Sequence, residues 1–287
     1  MSLFNIGCLQ LNLESGENLP IIEKKISKAM TRYPWIDMVI LPELVVFGSD
    51  NQHAIAMPSD VEASICKIAK KFGIWFIPGS LIEKSGDKLY NTAPIINPDG
   101  EVVTRYRKLY PYYPYEAGIT SGKEFTIFDI PDVGRFGVTI CYDKWFPEVA
   151  RTLSCMGAEV ILHPTMTYTI DRDIEVSISR ATAATNQAYF LDVNSCGGFG
   201  IGRSAIFDPG GNCIYEAGSD EEIIPIEIDF AMVRRVRKRG YQGLTQVLKS
   251  FNNNSVDYPF HQGKQRSSYI TSLGDLSMPF SHKTLKK

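Results

Sequence analysis

Three polar residues of this chain stand directly after apolar, β-rich runs, and their types together make a hydrolytic set. Gly134-Arg135-Phe136-Gly137-Val138-Thr139-Ile140 reads as a strand that stops at Cys141, and after a short polar turn Pro147 opens a helix. A sulfur at a strand end is presented at a sheet edge, where substrate can reach it. A helix N-terminus nearby favours anions, so the sequence predicts a thiol of lowered pKa with a share of thiolate, the form that attacks carbon. Met38-Val39-Ile40-Leu41 is a second apolar run and ends on Pro42-Glu43. A carboxylate there borders a partly desolvated floor, and burial raises its basicity, so Glu43 can take a proton from a thiol. Val102 to Tyr106 is a third run, followed by Arg107-Lys108-Leu109 and the loop Tyr110-Pro111-Tyr112-Tyr113-Pro114-Tyr115-Glu116-Ala117-Gly118. Prolines and tyrosines restrict that loop and supply walls, which makes Lys108 the cation best placed to enter a pocket and stabilise an oxyanion. Taken singly, each residue also has a plain structural reading: a buried packing thiol, a solvated loop acid, a surface charge.

Leu41-Pro42-Glu43, Tyr106-Arg107-Lys108-Leu109 and Ile140-Cys141-Tyr142-Asp143, in that order, resemble the nitrilase superfamily of carbon-nitrogen hydrolases. Flanking stretches add to the likeness: Phe146-Pro147-Glu148 with Arg151, Gly157-Ala158-Glu159, Arg180-Ala181 with Asn186, and Gly202-Arg203-Ser204 through Asp208-Pro209-Gly210-Gly211. The resemblance covers residues 3 to 239, and three motifs in register are far more specific than one. It implies a Glu43, Lys108 and Cys141 triad, with Glu116, eight residues past Lys108, as a second acid that orients the lysine or assists the hydrolytic water. It also implies a four-layer α-β-β-α sandwich of similar halves, and dimers whose C-terminal segments cross between subunits.

The elements that must carry these residues read as α/β. Strand-like runs fall at Leu3 to Leu11, Met38 to Leu41, Ile74 to Leu81, Thr92 to Ile96, Val102 to Tyr106, Arg135 to Ile140, Val160 to His163, Tyr189 to Asn194, Arg203 to Phe207 and Ile223 to Ile228. Helical patterns separate several of them: Leu19 to Met30, Asp60 to Phe72, Pro147 to Met156 and Ile174 to Thr185. Asn97-Pro98-Asp99-Gly100 and Asp208-Pro209-Gly210-Gly211-Asn212 mark hairpin turns, so the two sheets are expected to be mixed. Asp37 to Glu43 echoes Glu159 to Thr165, each an apolar strand closing on a proline. One domain is expected over residues 1–239.

Residues 240–287 change character. Polar residues, glycine, proline and isolated aromatics cannot build a core of their own, so this extension is either a frayed tail or packs on a neighbour. Tyr241, Leu244, Val247, Leu248, Phe251 and Tyr258 are the expected contacts at a homodimer or higher homo-oligomer interface. Before it, Arg234-Arg235-Val236-Arg237-Lys238-Arg239 suits a helix C-terminus better than a phosphate site.

At 287 residues and 44% hydrophobic the chain can bury a large core, and its net charge of -2 gives no reason to invoke nucleic acid or an anionic membrane. The N-terminus lacks the basic start and apolar stretch of a secretory signal, and no apolar run reaches membrane-spanning length, so a cytoplasmic enzyme is expected. Six cysteines are scattered without Cys-x-x-Cys or His spacing, so the sequence encodes neither a metal site nor a redox motif, and no cofactor is called for. Cys8 and Cys66 read as small hydrophobes, and Cys196 could border the pocket.

Cys141-Tyr142 departs from the Cys-Trp-Glu of true nitrilases, which favours amides over nitriles and resembles the amidase and carbamoylase end of the superfamily. Tyr142, Trp145, Tyr112 and Tyr113 are the aromatic candidates for a small acyl or carbamoyl pocket, each with a core-packing alternative. Arg172 or Arg203 could reach in to clamp a carboxylate. An N-carbamoyl amide hydrolase and a nitrilase remain the near alternatives. A Cys-His hydrolase using His53, His163, His261 or His282 is a rival, and a non-catalytic scaffold of the same fold is another.

Overall fold

Side-chain alternation along the strands decides the layering. In β1 (Leu3–Gln10), Ile6 and Cys8 face one core, whereas Leu9 faces another; in β2 (Met38–Ile40), Met38 and Ile40 face the first core and Val39 the second. The second core is closed by α1 (Leu19–Arg32), which buries Leu19, Ile22, Ile26 and Ala29, and by α2 (Asp60–Phe72), which buries Ile65, Ile68 and Ala69. Ser59 caps α2 by accepting the Glu62 N–H at 3.2 Å, and Gly73 ends it in the left-handed region at φ 64°. The computed structural model describes residues 3–254, 256, 258, 267–274 and 276.

The first sheet continues through β3 (Trp75–Ile77), β4 (Leu81–Ser85), β5 (Lys88–Ile96) and β6 (Val102–Arg107). The second is built from β7 (Thr126–Ile130), β8 (Gly134–Val138), β9 (Val160–Thr165), β10 (Tyr189–Asn194), β11 (Ala205–Phe207) and β12 (Cys213–Glu216). The chain then returns to the first sheet as β13 (Glu222–Asp229), antiparallel to β1. In the second sheet Val160, Leu162, Leu191 and Val193 face the shared core while Ile161 and Phe190 face outward, toward α4 (Arg172–Asn186) and α3 (Pro147–Cys155). The result is the expected α-β-β-α sandwich, with seven strands in one mixed sheet and six in the other.

The sequence echo has a structural counterpart. β2 lies parallel to both neighbours, β1 and β3, and β9 lies parallel to both of its own, β8 and β10. Both predicted hairpins form: β5 pairs antiparallel with β6, and β11 with β12.

Three elements differ from the sequence reading. The run Ile74 to Leu81 is not one strand, because Pro78-Gly79 breaks it into β3 and β4. Gly79 sits at φ 76°, and a Cβ there would lie 1.7 Å from the Pro42 carbonyl oxygen, so only glycine lets the turn under Glu43 close. β7 and the fully exposed β12 were not anticipated. The start of the C-terminal extension packs on its own chain. Tyr241 lies over Gly210 and accepts from Asn212 at 2.7 Å, and Phe251 of α6 (Val247–Asn253) stacks under Arg151. His261 and His282 lie outside the described residues.

The basic run ends α5 (Phe230–Arg239) and is tied into the sandwich. Arg234 pairs with Glu159 at 2.8 Å and Arg237 donates to the Gln187 carbonyl at 3.0 Å. Among the described residues no helix is long and apolar enough to cross a membrane.

Candidate active site

Strand ends from both sheets meet at one edge of the sandwich. Leu41 N–H still pairs with the Ile77 carbonyl at 2.9 Å, and the chain then turns so that Glu43 N–H donates to Thr165 O, at the end of β9, at 3.2 Å. Leu44 follows at φ 54°, its N–H held by Ser80 Oγ at 3.2 Å. The Glu43 side chain is thereby turned inward and buried. Lys108 leaves β6 with its own N–H on the Asn91 carbonyl at 2.9 Å, and it too is buried.

The Lys108 ammonium joins two carboxylates: Glu43 Oε1 at 2.8 Å and Glu116 Oε2 at 2.6 Å. Asn91 Nδ2 bridges the same pair, donating to Glu43 Oε1 and to Glu116 Oε1, each at 2.8 Å. Burial alone would lower the Lys108 pKa, but Glu43 and then Glu116 outweigh it and hold the amine well above its ordinary range. Burial raises Glu43 and Glu116 raises it further, against the pull of Lys108 and a smaller pull from the Cys141 thiol, so Glu43 is the more basic acid. Burial also works to raise Glu116, but Lys108, the Tyr112 N–H at 2.6 Å and Asn91 outweigh it and keep that group ionised. One site therefore holds two carboxylates whose surroundings push them apart, the arrangement that assigns acid-base roles.

Cys141 begins a 3₁₀ turn, Cys141–Trp145, and stands at φ 46°, a conformation that costs a non-glycine residue of order 1–3 kcal/mol. Asp143 holds that bend from inside. Its Oδ2 accepts the Ile140 N–H at 2.9 Å and the Tyr106 hydroxyl at 2.6 Å, and its Oδ1 accepts the Tyr110 N–H at 2.9 Å. Burial raises Asp143 to about 6 against those donors. The thiol itself departs from the sequence expectation. Burial, followed by the Glu43 charge, pushes Cys141 well above the ordinary cysteine range, whereas Lys108 only partly offsets them. The helix expected to stabilise a thiolate starts at Pro147, beyond the whole 3₁₀ turn, and no thiolate is preformed.

Glu43, Lys108, Glu116 and Cys141 line one cavity of about 140 Å³. Of the aromatic candidates, Tyr142, Trp145 and Tyr112 line it and Tyr113 does not; Tyr115, not among them, does. The reason is local. The Glu116 N–H returns to the Tyr112 carbonyl at 2.8 Å, so the loop winds as a turn and residues three apart share its inner face, their rings 5.4 Å apart. Met166, Thr167 and Tyr168 also line it.

Behind the nucleophile turn lies a group that sequence reasoning did not assign. Lys144 and Arg172, both fully buried, share Asp192 at 2.9 and 3.0 Å and Glu175 at 3.5 and 3.2 Å. Two cations balance two carboxylates, and burial of Asp192 is outweighed by Arg172 and then Lys144, which hold its pKa far below the usual carboxylate range. Arg172 is thus engaged away from substrate, and Arg203 lies at the surface with Glu216 and Asp173. Neither clamps a carboxylate in the cavity. Asn91 was also missed. It lies inside β5 (Lys88–Ile96) but one position before the apolar run Thr92 to Ile96, and asparagine's rarity in strands hides it from the strand pattern.

The Cys-His arrangement is not formed by the described histidines. His163 Nδ1 pairs with Thr139 Oγ1 at 2.7 Å away from the cavity, burial and Lys144 keep it neutral, and His53 stacks on Phe47. Cys196 is buried and does not border the cavity either.

Comparison with known proteins agrees with the fold. A formamidase of Bacillus cereus is 30% identical over 78% of this chain and 71% of its own length. The omega-amidase NIT2 of Danio rerio is 26% identical over 83% of this chain and 93% of its own. The crystal structure of Saccharomyces cerevisiae Nit3, a member of branch 10 of the nitrilase superfamily, superposes with a TM-score of 0.76 at 28% identity, covering 83% of this chain and 94% of that one. Residues 5–238 match the carbon-nitrogen hydrolase family as a whole, and the chain belongs to that family, within the nitrilase superfamily.

Proposed function

We propose that the protein hydrolyses the C–N bond of a small amide through a thioester on Cys141. The observation that carries this reading is the ammonium of Lys108 held between Glu43 and Glu116 in a cavity that Cys141 also lines. Amide-hydrolysing relatives, a formamidase and omega-amidases, support it.

Each step follows from the electrostatics. Because the thiol is kept neutral, sulfur attacks the amide carbonyl as its proton passes to Glu43, the basic carboxylate. The carbonyl oxygen becomes an oxyanion between the Lys108 ammonium and the backbone N–H of Tyr142, one of the first N–H groups of a 3₁₀ turn, which have no partner within the turn. A donor so placed is worth about a hundredfold or more in rate. The C–N bond breaks as Glu43 returns its proton to the departing nitrogen, which leaves as ammonia or an amine. Water then attacks the thioester, Glu43 takes its proton, and the acid departs as the thiol is reformed. Lys108 stays charged throughout, and Glu116 keeps it there.

The cavity is small and its walls are largely aromatic, which suits a short acyl group. Glu43 must be ionised to act, so activity rises with pH through its elevated pKa.

The test is ammonia release from a panel of short aliphatic amides, read beside intact-mass spectra of the quenched enzyme. An added acyl mass on the wild type, absent from Cys141→Ala, is the expected result. Turnover that survives Cys141→Ala, or that survives Glu43→Gln undiminished, would overturn the assignment.

A further inference from the structure

The cavity has an aromatic wall and a negative rim that the hydrolytic chemistry does not use. Five rings follow one another outward from the nucleophile turn. Trp145 and Tyr142 lie 6.3 Å apart, Tyr142 and Tyr112 4.8 Å, Tyr112 and Tyr115 5.4 Å, and Tyr115 and Tyr168 6.3 Å. The last two are substantially exposed, so the wall runs from the buried sulfur to the mouth. Asp171 lines the same cavity.

The charges on this lining are not balanced. Lys108 is the only cation among the described lining residues, and it is already shared by two carboxylates. Glu175 is answered from behind by Lys144 and Arg172 and accepts from Thr167 at 2.8 Å. Asp171 has no cationic partner among the described residues; its carboxylate accepts the Thr169 hydroxyl, and the residue is half-buried. Burial and then the Asp171 charge raise the Tyr112 hydroxyl pKa, which places that carboxylate's field on the aromatic wall.

Resting on the amidase reading, we infer that the preferred substrates are short amides with an ammonium group at the far end, the amide at Cys141 and the cation between the tyrosine faces and Asp171. Ring faces attract an ammonium through their quadrupole, and a carboxylate without a cationic partner supplies the counter-charge. The same features reject a distal carboxylate. It would meet Asp171 and the ring faces while losing its water, and Arg172 is fully buried with its own partners. This separates the chain from a site built to clamp an acidic tail.

The experiment compares kcat/KM for three amide series of matched length on the same enzyme preparation. They are butanamide and pentanamide, then 4-aminobutanamide and 5-aminopentanamide, then succinamate and glutaramate. The amino amides are expected to exceed the carboxylates by about tenfold or more, with an advantage that shrinks as salt is added. Asp171→Asn is expected to lower the amino-amide to neutral-amide ratio by about tenfold. Asp171→Lys should move the preference toward glutaramate. Carboxylates turned over as well as or better than the amino amides, or a ratio unchanged by Asp171→Asn, would overturn the inference and leave the amidase reading standing. No ammonia from any series, with no acyl mass on Cys141, removes both.

Discussion

Glu116→Gln separates the role of the second acid from that of the base. Lys108 Nζ lies 2.8 Å from Glu43 and 2.6 Å from Glu116, so the two oxygens it joins are at most about 5.4 Å apart. At an effective dielectric of about 20, two unit charges at that distance repel by about 3 kcal/mol, equivalent to about two pH units. That repulsion raises the Glu43 pKa in the native enzyme. Glutamine keeps a carbonyl oxygen for Lys108 and for the Tyr112 N–H but removes the charge. The sign is then fixed: without Glu116 the ionised form of Glu43 is less opposed, its pKa falls, and the acid limb of kcat/KM against pH moves to lower pH by about one to two units. A weaker base also lowers the plateau, by about tenfold to a hundredfold. The assay is ammonia release from a short amide from acid to neutral pH, with thermal unfolding to confirm an intact fold. An acid limb that stays in place, or moves upward, would refute the coupling between these carboxylates.

Two further substitutions test the scaffold around the nucleophile. Asp143 has its pKa raised from 3.8 to about 6, so the folded state holds a proton that the unfolded chain releases; its contribution is complete below about 4 and is lost as pH rises to about 6. Urea unfolding of wild type and Asp143→Asn across that window should show the difference between them changing with pH, and a constant difference would discount the shift. Asp192→Asn leaves Lys144 and Arg172 with Glu175 as their only carboxylate, and a buried pair broken in this way costs about 3–5 kcal/mol. A loss below about 1 kcal/mol by urea unfolding would mean that the four charges are not acting as one balanced group.

The strands around the site were legible because both faces of the central ones are buried, which writes near-continuous apolar runs such as Met38 to Leu41 and Val160 to Leu162. Residues at the ends of such runs are thrown to the same sheet edge, which is why Glu43, Lys108 and Cys141 could be picked out one at a time. β12 was invisible for the opposite reason, since all four of its residues are exposed and carry no core pattern. Pro78-Gly79 was a legible break that the apolar run on either side obscured. Asn91 reaches Glu43 and Glu116 from β5, Asp171 and Glu175 reach the cavity from the start of α4, and only the pairing of distant strands and helices brings them there. The raised thiol pKa likewise depends on how deeply the turn is buried, a property of the assembled layers.

Glu43 and Lys108 hang from one sheet, and Cys141 hangs from the other. The reactants are therefore mounted on opposite jaws, and the filling between the jaws fixes how far proton and sulfur must travel. That filling includes Phe4, Phe128 and Phe136, packed ring against ring with centroids 5.2 to 5.6 Å apart. Trimming one of these rings touches no substrate, yet it lets the jaws settle, and misplacing reacting atoms by about 1 Å can cost about a hundredfold in rate. Distant apolar residues in this fold thus act as spacers for the chemistry, and turnover should register their volume more sharply than melting temperature does.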